Sequence, residues 1–501
     1  MKIFIRWKKQ KGFLREPGAL RGGFLIVLVI LTIFACNLPG AQGVPTAEPT
    51  RPAGSPTETQ PFTAPTDTVP TPAPTDTLAP EEAADIVFYN GTVLTMQPGV
   101  VTTAIAVKGD RILTLGNDER MLQLAGPETT VVDLQGRTLM PGFVDTHSHV
   151  FGAFEGDFQG AREFVLSNGI TAMAEMGVHE DQLLTLQTMD MSGELDLRVS
   201  LYPVHIDNCG QVLGSWYLDA APASTEPGAM LQVPGVKMFN DGGSCNAPAV
   251  SYEYPVGGMG DLYFTAEELA GHIAEAQSNG YQVAVHSLGD RAIDVTLDAL
   301  ALALDGMPNT YRHRIEHNAV LRGDQFARYS EVGPVATIFG TFPACLWAGD
   351  TSSFLYITPE EYRDWEWPWR PLIDTNPDLH VAWHSDYPVF GTLNPFEHLF
   401  GLVTRRQAAE DGSICDPPDW AADDALSVEE ALRMMTIEAA YALHRDDELG
   451  SLAIGMLADL IVISANPLEV APDDLPGIEV LMTMVGGRTV HCAEGAEFFC
   501  P

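Results

Sequence analysis

The sequence predicts an α/β fold, a (β/α)8 barrel of the TIM type carrying a small composite β-sandwich domain built from both of its flanks. Three observations predict it. A chain of 501 residues is too long for one ordinary hydrophobic core, so a large domain with an accessory is expected. Through the middle, eight short apolar segments alternate with helix-forming stretches, the pattern of parallel strands joined by helical crossovers, and eight is the number that closes a barrel. Alternating β-type segments stand on both sides of that region, which suggests one small β domain assembled from the two ends.

The chain opens on Lys2, Arg6, Lys8, Lys9, Lys11, Arg15 and Arg21 against Glu16 alone, followed by an apolar run from Gly22 to Ala35 and then Cys36. That order of basic region, apolar region and small residue reads as a signal peptide over residues 1–35. As a helix the apolar run reaches only about 21 Å at ~1.5 Å per residue, short of the ~30 Å of a bilayer core, so it reads as a cleaved signal rather than a span. Ile33-Phe34-Ala35-Cys36 resembles a bacterial lipobox, which would make Cys36 the lipidated first residue of the mature protein, although Phe34 departs from the small residue usual there. The alternative is an ordinary secretory signal cleaved nearby. In both cases the folded part is expected outside the cytoplasm, anchored to a membrane through Cys36 or secreted. Residues 36–83 are rich in Pro, Thr, Ala and Gly and too poor in aliphatic side chains to build a core. They read as a disordered tether with on the order of 100 Å of reach at ~3.1 Å per residue.

Two stretches assign the sandwich to 84–140 and 447–493. Asp85 to Leu94 alternates around Asn90-Gly91 and Ala104 to Leu113 alternates around Lys108-Gly109-Asp110, both hairpin signatures, and a further strand runs from Thr130 to Leu134. At the far end, Ala458 to Ile463 and Val480 to Val490 are the matching strands. The barrel occupies 141–446, with strands ending at His149, near Glu175, near His205, at Phe239, His286, His317, Phe339 and Asp386. Thr265 and Glu268 form a capping box that opens one of the intervening helices. Residues 494–501 remain as a C-terminal tail.

Barrel chemistry belongs at the carboxyl ends of strands. The apolar run Leu139 to His149 ends in two histidines two residues apart, which period-2 geometry points to one face, and two neutral imidazoles side by side are a metal chelate in want of partners. Lys237 on the fourth strand, His286 on the fifth, His317 on the sixth and Asp386 on the eighth supply them, because a closed barrel brings these ends around one cavity. Taken singly each has an ordinary reading: core histidines, a surface lysine, an aspartate capping a turn. Thirteen histidines scattered at random would not fall in these places.

PGFVDTHSH, VKMFNDGG, VAVHSLGDRA, RIEH, HSDYPV and GSLAIGMLADLIVIS resemble the amidohydrolase superfamily, in particular amidohydrolase family 3, over about residues 84–490. The resemblance implies a metal-dependent hydrolase acting on carbon–nitrogen bonds other than peptide bonds. It implies two divalent ions, of the zinc class: His147 and His149 on one, His286 and His317 on the other, Lys237 between them as a carbamate, and Asp386 as ligand and proton shuttle. A metal-activated hydroxide would attack an amide-type carbonyl. A one-metal site of His147, His149, His286 and Asp386 is the alternative arrangement. His384 departs from the glycine usual in relatives and is expected to crowd the mouth or add a hydrogen bond.

A formal charge of −40 excludes nucleic acid and anionic lipid surfaces as partners and leaves a small-molecule substrate. Apart from Cys36 six cysteines remain, an even number that suggests disulfides in an exported protein, Cys492 with Cys500 first and Cys209 with Cys245 next. Trp365, Trp367 and Trp369 lie in a loop after the seventh strand, as an aromatic wall to the site or tucked onto the barrel. The function classes that compete with a hydrolase of amides are a tethered ligand-binding lipoprotein with a degenerate barrel, and an esterase or isomerase on the same scaffold.

Overall fold

In a computed structural model of the chain, the residues described are 83–345, 358–389, 391–409 and 412–501. The signal, the lipobox with Cys36 and the tether lie outside them. Among the described residues no helix is long and apolar enough to cross a membrane.

Both flanks contribute to the small domain. One sheet orders its strands Arg111–Gly116, Ala104–Lys108, Ala84–Tyr89, Ala125–Asp133; the other orders them Arg488–Cys492, Val480–Val485, Leu460–Ile463, Thr138–Pro141, Thr92–Leu94, Val101–Thr102. Phe88, Ile105 and Val107 from the first meet Leu139, Leu460, Val462, Met482 and Met484 from the second in one buried cluster, as two apolar sheet faces must. The C-terminal tail joins that cluster through Ala496 and Phe499.

Two expectations are corrected here. Lys108-Gly109-Asp110 does close a hairpin, with Lys108 opposite Arg111. Asn90-Gly91 does not: Ala84–Tyr89 pairs within the first sheet and Thr92–Leu94 within the second, so the turn hands the chain from one layer to the other. A left-handed turn (φ 59° at Asn90) suits either use, and only the partners decide. Likewise the run from Leu139 to His149 is two strands. Thr138–Pro141 belongs to the sandwich and Phe143–Ser148 to the barrel, with Gly142 between them. A Cβ on Gly142 would come within 2.2 Å of the Thr171 side chain, so the crossing admits glycine alone.

Eight parallel barrel strands follow: Phe143–Ser148, Ile170–Val178, Arg198–Pro203, Gly235–Phe239, Gln282–Ser287, Arg314–His317, Val335–Phe339 and Val381–His384. Their residues are almost all buried, as expected for strands covered on both faces. The ladders form two arcs, strands one to three with the short strand Leu231–Gln232 paired beside the third, and strands four to eight. One seam is bridged where His205 N donates to Lys237 O at 2.9 Å, the other where Asp386 N donates to His147 O at 2.9 Å. Thr265 caps the helix Ala266–Ser278 in the predicted capping box.

The sandwich is keyed to the barrel by a buried ion pair. Arg198 on the third barrel strand donates to both carboxylate oxygens of Asp459 at 2.7 and 3.0 Å, and Gly486 N donates to Asp459 Oδ1 at 2.8 Å. Removing one partner of such a pair leaves an uncompensated buried charge. Arg198→Met is therefore expected to destabilise the fold by about 3–5 kcal/mol in urea unfolding. A loss below about 1 kcal/mol, the range of an exposed pair, would mean the junction rests on apolar contacts instead.

Among the described residues three disulfides are formed: Cys209–Cys245, Cys345–Cys415 and Cys492–Cys500. Of the two readings of the tryptophan loop, the tucked one holds for Trp367 and Trp369, which are 1 % and 0 % exposed. Trp367 packs on Phe339, ring centroids 4.8 Å apart, behind the site rather than around its mouth.

Candidate metal centre

His147, His149, Lys237, His286, His317 and Asp386 all line one cavity of about 90 Å³ at the carboxyl ends of the barrel strands, with Phe239, Leu288 and Phe339 among its apolar walls. Asp386 Oδ1 is 3.5 Å from Nε2 of both His147 and His149, and Oδ2 is 3.9 Å from His317 Nδ1. Lys237 Nζ stands 3.4 Å from His147 Nε2, and the His286 and His317 ring centroids are 4.7 Å apart. Residues separated by more than two hundred positions thus share one small space.

The backbone is bent to make this so. His317 and Asp386 adopt φ values of 79° and 50°, in the left-handed region that non-glycine residues rarely enter. At His317 the consequence is direct. Arg314 and Glu316 share one face of their strand by alternation, and the turned backbone lets the very next residue, His317, line the cavity.

Outer partners set which ring nitrogen offers its lone pair. His147 Nδ1 is 2.6 Å from Glu316 Oε2, His149 Nδ1 donates to Met176 O at 2.9 Å, and His286 Nε2 donates to Gly242 O at 3.0 Å. The free nitrogens are then Nε2 of His147 and His149 and Nδ1 of His286. Glu316 is held in turn by Arg314, which donates to its two oxygens at 2.8 and 2.7 Å and to Thr146 O at 2.8 Å. Burial pushes the Glu316 carboxyl up, but the Arg314 charge and hydrogen bonds outweigh it and hold it below the usual range.

Asp145 fastens the first strand to the eighth. Its Oδ1 accepts from Ser385 N at 3.0 Å and from His147 N at 3.2 Å, and its Oδ2 takes the Ser385 hydroxyl. Asp241 braces the loop after the fifth strand, accepting from Leu288 N at 3.0 Å and Gly289 N at 2.9 Å. Burial raises both acids to about 7, opposed by those hydrogen bonds.

The donor set suits divalent metal. Burial above all drives His147 and His317 well below their ordinary pKa and His286 down to about 3, so the rings stay neutral with lone pairs available. Among the described residues, Nδ1 of His286 and Nδ1 of His317 are buried with no hydrogen-bond partner. An orphaned buried nitrogen costs about 1–3 kcal/mol, which a cation at that point would offset. Imidazoles with one carboxylate are a donor set for zinc-like ions. Burial also lowers Lys237 to about 8, so a useful fraction of its amine is uncharged near neutrality.

His384 does neither of the things expected of it. It is fully buried, its ring tilted against His147 at 5.1 Å and edge-on to His317 at 5.0 Å, away from the mouth, and neither ring nitrogen has a hydrogen-bond partner among the described residues. Glu316 and Asp241 are supporting groups that the strand-end rule does not single out. Glu316 carries a signal in the alternation Arg314-Ile315-Glu316, a charge pair on one face of a buried strand. Glu316→Gln is expected to weaken metal binding about 10–100-fold, because the carboxylate no longer orients His147. Unchanged affinity in a metal titration would mean that packing alone holds the ring.

A model of the amidohydrolase family matches residues 153–491. Among curated proteins, N-substituted formamide deformylase of Arthrobacter pascens is 29 % identical over 236 residues, 46 % of this chain and 40 % of that protein. The putative amidohydrolase YtcJ of Bacillus subtilis (strain 168) is 25 % identical over 274 residues, 53 % of this chain and 48 % of that protein. The chain thus spans less than half the length of these relatives. A solved metal-dependent hydrolase from Pyrococcus furiosus superposes with a TM-score of 0.63 at 20 % identity, covering 77 % of this chain and 100 % of that one. That likeness is one of fold.

Proposed function

The chain belongs to the amidohydrolase family, and from that premise we propose that it is an exported hydrolase of carbon–nitrogen bonds in non-peptide amides. The observation that carries the reading is the meeting of His147, His149, Lys237, His286, His317 and Asp386 in one cavity. His147 and His149 would hold one divalent cation and His286 and His317 a second, with Asp386 beside them. Bound there, zinc-class ions would supply Lewis acidity toward the carbonyl and lower the pKa of water from ~15.7 toward ~7.

The remaining work falls to the chain. Lys237 in its amine form adds to CO2, losing one proton, and the carbamate so formed presents two anionic oxygens between the imidazole pairs. Asp386 takes the proton of the attacking water and returns it to the departing nitrogen. Phe239, Leu288 and Phe339 keep bulk water from the reacting carbonyl, and His149, 33 % exposed at its side chain, marks the open side. At about 90 Å³ the cavity is well below the ~300–1,000 Å³ of pockets that take drug-sized ligands, so the acyl part it takes is small. N-substituted formamides, the substrates in the name of one relative, are the first class to try.

Export is supported by the basic and apolar start and by the three disulfides, which form in oxidising compartments. Anchoring through Cys36 completes that reading. The deciding experiment is metal stoichiometry on purified protein together with hydrolysis of N-substituted formamides, lactams and esters. Amide turnover that tracks metal content is expected. Faster turnover of esters would transfer the assignment to an esterase, and bound metal with no turnover of any class would favour a ligand-binding lipoprotein.

A further inference from the structure

A second group of metal-binding side chains lies apart from the barrel cavity. His205 follows the third barrel strand, and His272 and Glu275 sit one turn apart on the helix Ala266–Ser278, where residues three positions apart face the same way. One donor atom from each of the three falls within 4.8 Å of the others. None of the three lines the barrel cavity.

The arrangement is built and oriented. His205 is 1 % exposed, and its Nδ1 donates to Gly214 O at 3.1 Å, so the lone pair belongs to Nε2, which stands 2.9 Å from His272 Nδ1. The loop that carries Gly214 is tied down by the Cys209–Cys245 disulfide, and Tyr217 packs edge-on against the His205 ring at 5.5 Å. Burial keeps His205 below its ordinary pKa, against the pull of the Gly214 carbonyl. Glu275 Oε1 accepts from Ser215 Oγ at 2.6 Å, which holds the carboxylate toward the two rings and leaves its other oxygen available.

We propose that His205, His272 and Glu275 form a second divalent-cation site, of the zinc class, with solvent as its fourth ligand. Zinc bound to nitrogen at about 2.0–2.1 Å in tetrahedral geometry spaces its donors about 3.3 Å apart. The imidazole pair at 2.9 Å therefore has to open by only a few tenths of an ångström. Two imidazoles and one carboxylate select zinc-like ions over Ca2+ and Mg2+, which prefer all-oxygen cages. Glu275 is exposed and His272 half-buried, so solvent reaches the fourth position.

The test uses Zn2+ alone as the probe, with equilibrium dialysis of the full protein and of H272A and E275Q. Wild type is expected to bind one equivalent beyond the barrel centre. Each variant should bind that equivalent at least about 10-fold more weakly, the least effect seen even for residues that only support a ligand, with the hydrolytic rate unchanged. In H147A/H149A, added Co2+ should still give the visible absorption of a tetrahedral site, and adding H272A should lower it by the share of one bound equivalent. Equal zinc content and affinity in wild type, H272A and E275Q would overturn the site. E275Q alters an exposed position, so the test does not depend on whether H272A folds.

Discussion

Asp386→Asn is expected to lower kcat for amide hydrolysis by about 10³ or more while the protein folds and keeps its metal. The factor is that of removing a positioned proton carrier, ~10²–10⁴. Asparagine has the shape of aspartate, and it is among the few side chains that tolerate the left-handed φ of 50° at this position. Its carbonyl oxygen can stand where Oδ1 stands, 3.5 Å from His147 and His149. What it cannot do is accept the proton of the attacking water and hand it on. Metal analysis and steady-state kinetics on the same preparation separate the two effects. Turnover within a few fold of wild type would remove Asp386 as the shuttle, and a metal-free variant would show that it acts first as a ligand.

Exhaustive chelation should abolish turnover and lower stability together. The barrel has gathered His147, His286 and His317 as neutral imidazoles, the last two with orphaned nitrogens, around a space that a cation would make favourable. A ligand present at about 1,000 times its Kd adds about 4 kcal/mol to unfolding, so its removal should lower the thermal midpoint by several degrees. Zn2+ or Co2+ should restore both rate and midpoint, whereas Ca2+ should restore neither, since nitrogen donors suit it poorly. Lys237→Met provides the internal control. It keeps the apolar stem and removes the amine that would carry the carbamate, and it should rebind less metal than wild type. Full activity after chelation, with metal verified absent, would end the reading of this protein as a metal-dependent hydrolase.

Much of the barrel and its site is legible in the amino-acid sequence. The eight strands are marked by apolar segments and turn residues, and the six candidate ligands by their position at strand ends, because both properties are local. Neighbouring side chains on a strand alternate whatever the rest of the chain does, and a barrel strand carries its chemistry at its carboxyl end. The paired histidines His147 and His149 and the capping box at Thr265 belong to the same class of information. So does the pair Cys492–Cys500, 8 residues apart in a short tail, where closeness suggests the partner.

Other features depend on partners far along the chain. Asn90-Gly91 is a turn in any context, yet whether it closes a hairpin or passes between layers is settled by strands that arrive about ten to fifty residues later. Glu316 orients His147 across 169 positions and Asp145 grips Ser385 across 240, and nothing near any of these residues announces the other. His384 is buried because His147, His317 and Phe339 close around it. The sequence by itself determined which side chains stand at the strand ends, since alternation and turn chemistry act within a few residues. Only the tertiary structure decided which nitrogen of each ring is free, which acids stay buried and which strand lies beside which, because those follow from contacts that form when distant segments pack.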